Sequence, residues 1–173
     1  MAPQKKGDIK PHTTVQKWFV AFTSYRGRTP LYRRFLRRGF GHVFAFTKLE
    51  GTVLMLDPQQ GGVFITTIPE VTPESRKAGG QNLSVFITGL KAALPEVTIL
   101  QVLAKRPSTR KHLSMFLPSC VTAIKSILCR QNWALTPFQL YKSLLKAGAL
   151  PVQGQNLEVL KEADITNRQQ SLN

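Results

Sequence analysis

A cysteine at the start of a helix is the residue in this sequence best suited to covalent chemistry. Ser119 precedes CVTAIKSILCR, in which Val121, Ile124, Ile127 and Leu128 recur at helical spacing, so Cys120 falls in the first turn of a buried helix. There the positive end of the helix dipole favours thiolate over thiol, and thiolate is the nucleophile. Such a nucleophile needs a base within hydrogen-bond reach, usually a histidine, and a polar group to orient that histidine. Of the three histidines, His12 lies in a basic N-terminal arm and His112 among Lys and Arg residues that disfavour its protonation, which leaves His42. His42 opens the apolar run GHVFAF, and Asp57 closes the next run, TVLMLDP. In an antiparallel hairpin turning at 48–51, the start of one strand lies beside the end of the next, which brings His42 and Asp57 together. Asp57 before Pro58 also suits a turn cap, and a lone helical cysteine is often a small core residue. Cys129 has no comparable neighbours and reads as structural.

The elements that must position these residues follow from apolar periodicity. WFVAF, from Trp18 to Phe22, is a continuous apolar run of strand length and predicts a buried strand. His42–Thr47, Thr52–Leu56 and Val63–Ile68 predict a β-meander, and Val97–Ala104 a further strand, with a strand at Leu83–Ile87 and a short helical piece near Leu90–Leu94 before it. TPFQLYKSLLKAG carries complete helix punctuation: Thr136 as N-cap, Pro137 at the first position, Gln139 for a capping box and Gly148 at the end. The expected organisation is a basic arm at 1–16, one α+β domain with an antiparallel sheet at 17–148, and a polar tail at 149–173.

GHVFAFTKLEGTVLMLDP resembles the histidine hairpin of papain-like cell-wall peptidases of the NlpC type, and PSCVTAIKSIL resembles their nucleophile helix. Because His precedes Cys here, the order is that of the circularly permuted branch that includes lecithin:retinol acyltransferase-like and related bacterial and viral thiol hydrolases. The resemblance spans roughly Trp18 to Leu128, and it implies a permuted papain-like fold. It also implies a cysteine amidase, peptidase or acyl hydrolase with Cys120 as nucleophile, His42 as base, Asp57 as orienter and the Cys120 backbone N–H in the oxyanion hole. Ser119, Val121 and Asp57 depart from the residue types common at those positions in the group.

Composition adds a second reading. Among 173 residues, 24 Lys and Arg against 9 Asp and Glu give a net charge of +15, so an anionic partner is expected. The stretch 9–49 holds nine bases and no acid, and 97–157 holds eight bases and no acid. LYRRFLRR predicts a short amphipathic helix over Leu31–Arg38, ended by Gly39. Arg26, Arg28, Arg33, Arg34, Arg37 and Arg38, with no acid near them in sequence, are the candidates for phosphate contact. The alternative function is therefore a nonenzymatic basic protein on the same fold, binding nucleic acid or another acidic polymer or assembling into a virion such as that of a phage. Two cysteines and three histidines fall in no zinc spacing, and neither a cofactor nor a structural metal is expected. With no long apolar segment and no secretory signal in MAPQKKGDIKPH, the chain is expected to be cytoplasmic or carried in a virion.

Overall fold

The computed structural model describes residues 15–24, 36–49, 52–59, 62–68, 81–105 and 119–153. Among them are six strands, β1 (Val15–Thr23), β2 (His42–Leu49), β3 (Thr52–Gln59), β4 (Gly62–Ile68), β5 (Thr98–Lys105) and β6 (Leu150–Pro151), and three helices, α1 (Gln81–Ala93), α2 (Cys120–Ile127) and α3 (Pro137–Lys146). The strands form one open sheet in the order β4-β3-β2-β1-β5-β6, antiparallel at every pairing. The class is α+β, and β2-β3-β4 is the meander that the sequence predicts.

The place of β1 in the sheet explains its composition. With β2 on one side and β5 on the other, and helices over both faces, every position of Phe19–Phe22 is enclosed, and each of these residues is fully buried. On one face, Val20, Phe22, Val43, Ala45, Leu100 and Val102 pack against Val121, Ile124 and Leu128 of the α2 region and Leu140 and Leu144 of α3. On the other, Phe19, Ala21, Phe44, Phe46 and Ile99 pack against α1 through Ile87, with Leu83, Phe86 and Leu90 at its margin.

Several boundaries differ from expectation. The segment read as a strand at Leu83–Ile87 and a separate helix is one helix, α1, because Leu83, Phe86, Ile87 and Leu90 present a single face to the sheet. A β-branched and aromatic run suggested the strand, and the core that this run meets decided otherwise. β1 starts at Val15, where its pairing with β5 begins, so two residues assigned to the arm belong to the sheet. The tail likewise contributes: Ala149 and Val152 are buried, β6 pairs with β5, and the Val152 N–H donates to the Ile99 carbonyl at 2.9 Å. The helix expected through CVTAIKSILCR is shorter: α2 ends at Ile127, and Cys129, read as structural, is exposed at φ 52° and is not a core residue. Residues 31–35 of the expected arginine helix, with Arg26, Arg28, Arg33 and Arg34, lie outside the described residues, as do His12 and His112. The described remainder, Leu36–Gly39, is a bend and turn rather than helix, with Gly39 at φ +81°.

Candidate active site

The site forms where β2 and β3 separate. Their pairing runs from Leu49↔Thr52 to Ala45↔Leu56 and goes no further, although β3 continues through Asp57 and Pro58 to Gln59 alongside β4. Pro58, next to the end of this pairing, has no N–H to donate to a ladder. Across the opening, side chains take over from backbone: His42 Nε2 and Asp57 Oδ1 are 2.7 Å apart. The two residues are diagonal neighbours across the strands, a separation that long side chains span. Gln59 Nε2 donates to the other carboxylate oxygen, Oδ2, at 2.7 Å, and the Phe44 ring lies alongside the imidazole with centroids 6.4 Å apart. Neither Gln59 nor Phe44 was identified from sequence. Both stand two residues from a candidate, on the same side of a strand, and period-two alternation is the signal that finds them.

The third member arrives on α2. Ser119 is its N-cap, accepting from the Thr122 N–H at 3.1 Å, and this cap starts the helix so that Cys120 is its first residue. Val121, Ile124 and Leu128 seat the helix on the β2 face of the sheet, bringing the thiol within hydrogen-bonding reach of the His42 ring. With Nε2 engaged by Asp57, Nδ1 is the ring nitrogen left for sulfur. The structure therefore brings together the three residues singled out from sequence, on elements 78 residues apart at their extremes, His42 to Cys120.

The electrostatics of the pair are mutual. Burial of the Cys120 thiol opposes its ionisation. The hydrogen bond and charge of His42, with hydrogen bonds from the backbone amides of Val43 and Val121, outweigh burial and hold the thiol pKa below its ordinary value. Burial likewise disfavours the imidazolium. Hydrogen bonds to Cys120 and Asp57, and the negative charge of both, outweigh it and raise the His42 pKa. One shift downward and one upward favour a thiolate–imidazolium pair, whose titration belongs to the two groups jointly.

Arg37 and Arg38, the described members of the arginine cluster, are engaged within the chain. Arg38 Nη2 contacts Glu96 Oε1 at 3.1 Å, and the same carboxylate accepts from Ser24 Oγ at 2.7 Å. Glu96 is 58 residues away from Arg38, so the expectation of arginines without an acidic partner does not hold at this position. The Arg37 guanidinium lies 4.2 Å from the Phe138 ring centroid. Among the described residues, no group of three or more His, Cys, Asp or Glu is placed to hold a metal ion, and no helix is long and apolar enough to cross a membrane. No protein-family model, curated protein or solved structure matches the chain.

Proposed function

We propose that the chain is a cysteine-dependent amidase, peptidase or acyl hydrolase of permuted papain-like design. The observation that carries this reading is the convergence of three residues: His42 and Asp57 in contact at 2.7 Å, and beside them the Cys120 thiol, at a helix start, with its pKa lowered by His42. In the proposed cycle the Cys120 thiolate attacks the carbonyl carbon of an amide or ester, and the carbonyl π electrons move to oxygen. Backbone N–H groups at the start of α2, that of Cys120 among them, are the donors available to the oxyanion. As the tetrahedral intermediate collapses, the His42 imidazolium gives its proton to the leaving nitrogen or oxygen, and an acyl-thioester remains on Cys120. His42, now neutral, takes a proton from water as the water attacks the thioester, and the thiolate leaves to restore the pair. Asp57 keeps Nε2 protonated and Nδ1 directed to sulfur, while Gln59 holds the carboxylate in place. The same reading puts the protein in a cytoplasm or a virion, with the strong positive charge attracting acidic substrates or surroundings.

p-Nitrophenyl acetate tests the cycle without knowledge of the natural substrate. A burst of p-nitrophenol close to one per chain, with an acetyl group mapped to Cys120 and both lost in Cys120→Ser, is the expected result. Absence of a burst, together with iodoacetamide labelling of Cys120 no faster than that of Cys129, would overturn the reading.

A further inference from the structure

The loop between α2 and α3 presents large apolar side chains to solvent in a way that its own folding does not require. Trp133 is 97% exposed and Leu135 78% exposed, while Ala134 between them is buried. The exposure is imposed by a fixed backbone. Ala134 N–H donates to Asn132 Oδ1 at 3.1 Å, Asn132 Nδ2 donates to Ser143 Oγ at 3.0 Å, Lys125 Nζ donates to the Ala134 carbonyl at 3.2 Å, and Leu135 N–H donates to Gln139 Oε1 at 2.8 Å. The loop is thus tied to both helices it joins, and alternation about Ala134 turns residues 133 and 135 outward. Among the described residues Trp133 has neither a hydrogen bond nor a ring contact, so its indole N–H is available along with its apolar surface.

Charge identifies what this surface suits. The loop and its flanking helices carry Lys125, Arg130, Lys142 and Lys146, and the whole stretch 97–157 contains no Asp or Glu. An exposed Trp and Leu set among cations with no acid is the combination that seats a protein in the headgroup region of an anionic bilayer. There the indole bridges the apolar and wet layers, and Lys and Arg meet lipid phosphates. We propose that the Trp133–Leu135 loop docks the protein peripherally on anionic lipid membranes. The docking surface is separate from the thiol site: the loop follows the C-terminal end of α2 and Cys120 begins it, about 12 Å apart along an eight-residue helix. The proposal stands independently of the catalytic reading.

Flotation of the intact protein with vesicles tests it. The protein should float with vesicles of equal parts phosphatidylglycerol and phosphatidylcholine, and weakly or not at all with phosphatidylcholine alone; added salt should weaken the binding. Trp133→Ser/Leu135→Ser should reduce partitioning roughly tenfold or more, since two apolar side chains no longer enter the interface. Both side chains are exposed, so an unchanged thermal melt is expected for the variant. Native fluorescence should shift to the blue on anionic vesicles, and the shift should vanish in Trp133→Phe. No flotation with anionic vesicles, or partitioning unchanged by the double substitution, overturns the proposal. So does a Trp133 emission already blue-shifted without lipid, which would mean that the chain covers its own loop. A response of Trp133 to single-stranded DNA without one to vesicles would assign the surface to base stacking instead.

Discussion

Helices α2 and α3 are capped by the same devices at both ends, and they differ at the positions where chemistry would intrude. Each begins at a hydroxyl N-cap, Ser119 or Thr136, that accepts from the N–H three residues on. Each ends in a Schellman motif: Cys129 N–H to the Ser126 carbonyl and Arg130 N–H to that of Lys125 in α2, Gly148 N–H to the Leu145 carbonyl and Ala149 N–H to that of Leu144 in α3. α3 uses the residues that local stability favours, with Pro137 first, Gln139 completing a capping box and Gly148 at φ +87°. α2 has Cys120 where α3 has proline, Thr122 where α3 has Gln139, and Cys129 at φ 52° where α3 has glycine. Two helices of one fold, resting on the same face of one sheet, thus show different priorities. The residue that opens α2 is explained by what it touches, His42, rather than by the helix it starts. Among the described residues its C-terminal counterpart, Cys129, has a carbonyl 3.9 Å from its sulfur, that of Ile127, and nothing in the structure explains why cysteine stands there.

The largest expected break in this comparison comes from His42→Ala. Without the imidazole, burial is the dominant influence on the Cys120 thiol and pushes its pKa up, so iodoacetamide labelling at neutral pH should slow by about 100-fold. Labelling of Cys129, followed by mass spectrometry in the same sample, should be unaffected. In the native protein the pH profile should carry both shifts. Labelling of Cys120 should persist below the pH at which glutathione stops reacting, because its pKa is lowered. Hydrolysis should form a bell, its acid limb set by Cys120 ionisation and its alkaline limb by loss of the His42 proton at a pKa above the ordinary histidine value. A profile matching that of glutathione would mean that the two helix ends are chemically alike.

Asp57→Asn sharpens the comparison with a smaller effect. The amide preserves shape but removes the charge that favours imidazolium, so the alkaline limb should move to lower pH and Cys120 labelling should fall by about tenfold, the consequence of one pKa unit. Ser119→Ala acts on the helix itself. Loss of the N-cap should cost about 1 kcal/mol in chemical denaturation, and it should slow labelling of Cys120 in step as the first turn frays.

The smallest effects are expected at the C-terminal ends, with opposite signs. Cys129→Gly should stabilise the protein by about 0.5–1 kcal/mol, because glycine occupies positive φ without the Cβ penalty. Gly148→Ala should destabilise it by about 1 kcal/mol for the same reason; a Cβ at Gly148 meets nothing within 4 Å, so the cost is conformational rather than steric. Paired urea melts measure both, and equal signs would show that the two ends do not share one geometry.

Much of this molecule is local and was legible in the chain. The capping of α3, the turn that joins the strands of His42 and Asp57, the continuous apolar run of Phe19–Phe22 and the helical start at Cys120 depend on neighbours within a few residues, whose types restrict φ, ψ and the exposed face. Other features depend on residues far apart in sequence. α1 is helical through Gln81–Ala93 because its single apolar face meets Phe46 and the rest of the second core; Phe46 and Phe86 ring centroids lie 4.9 Å apart, a contact no local window contains. β1 gained Val15–Lys17 and the sheet gained β6 because β5 offers partners on both sides. Residue types alone made His42 and Asp57 neighbours, since one short turn joins their strands. Only packing of α2 on the sheet brings Cys120 to His42, because the position of a helix across a sheet is decided by side chains that interlock once both are formed.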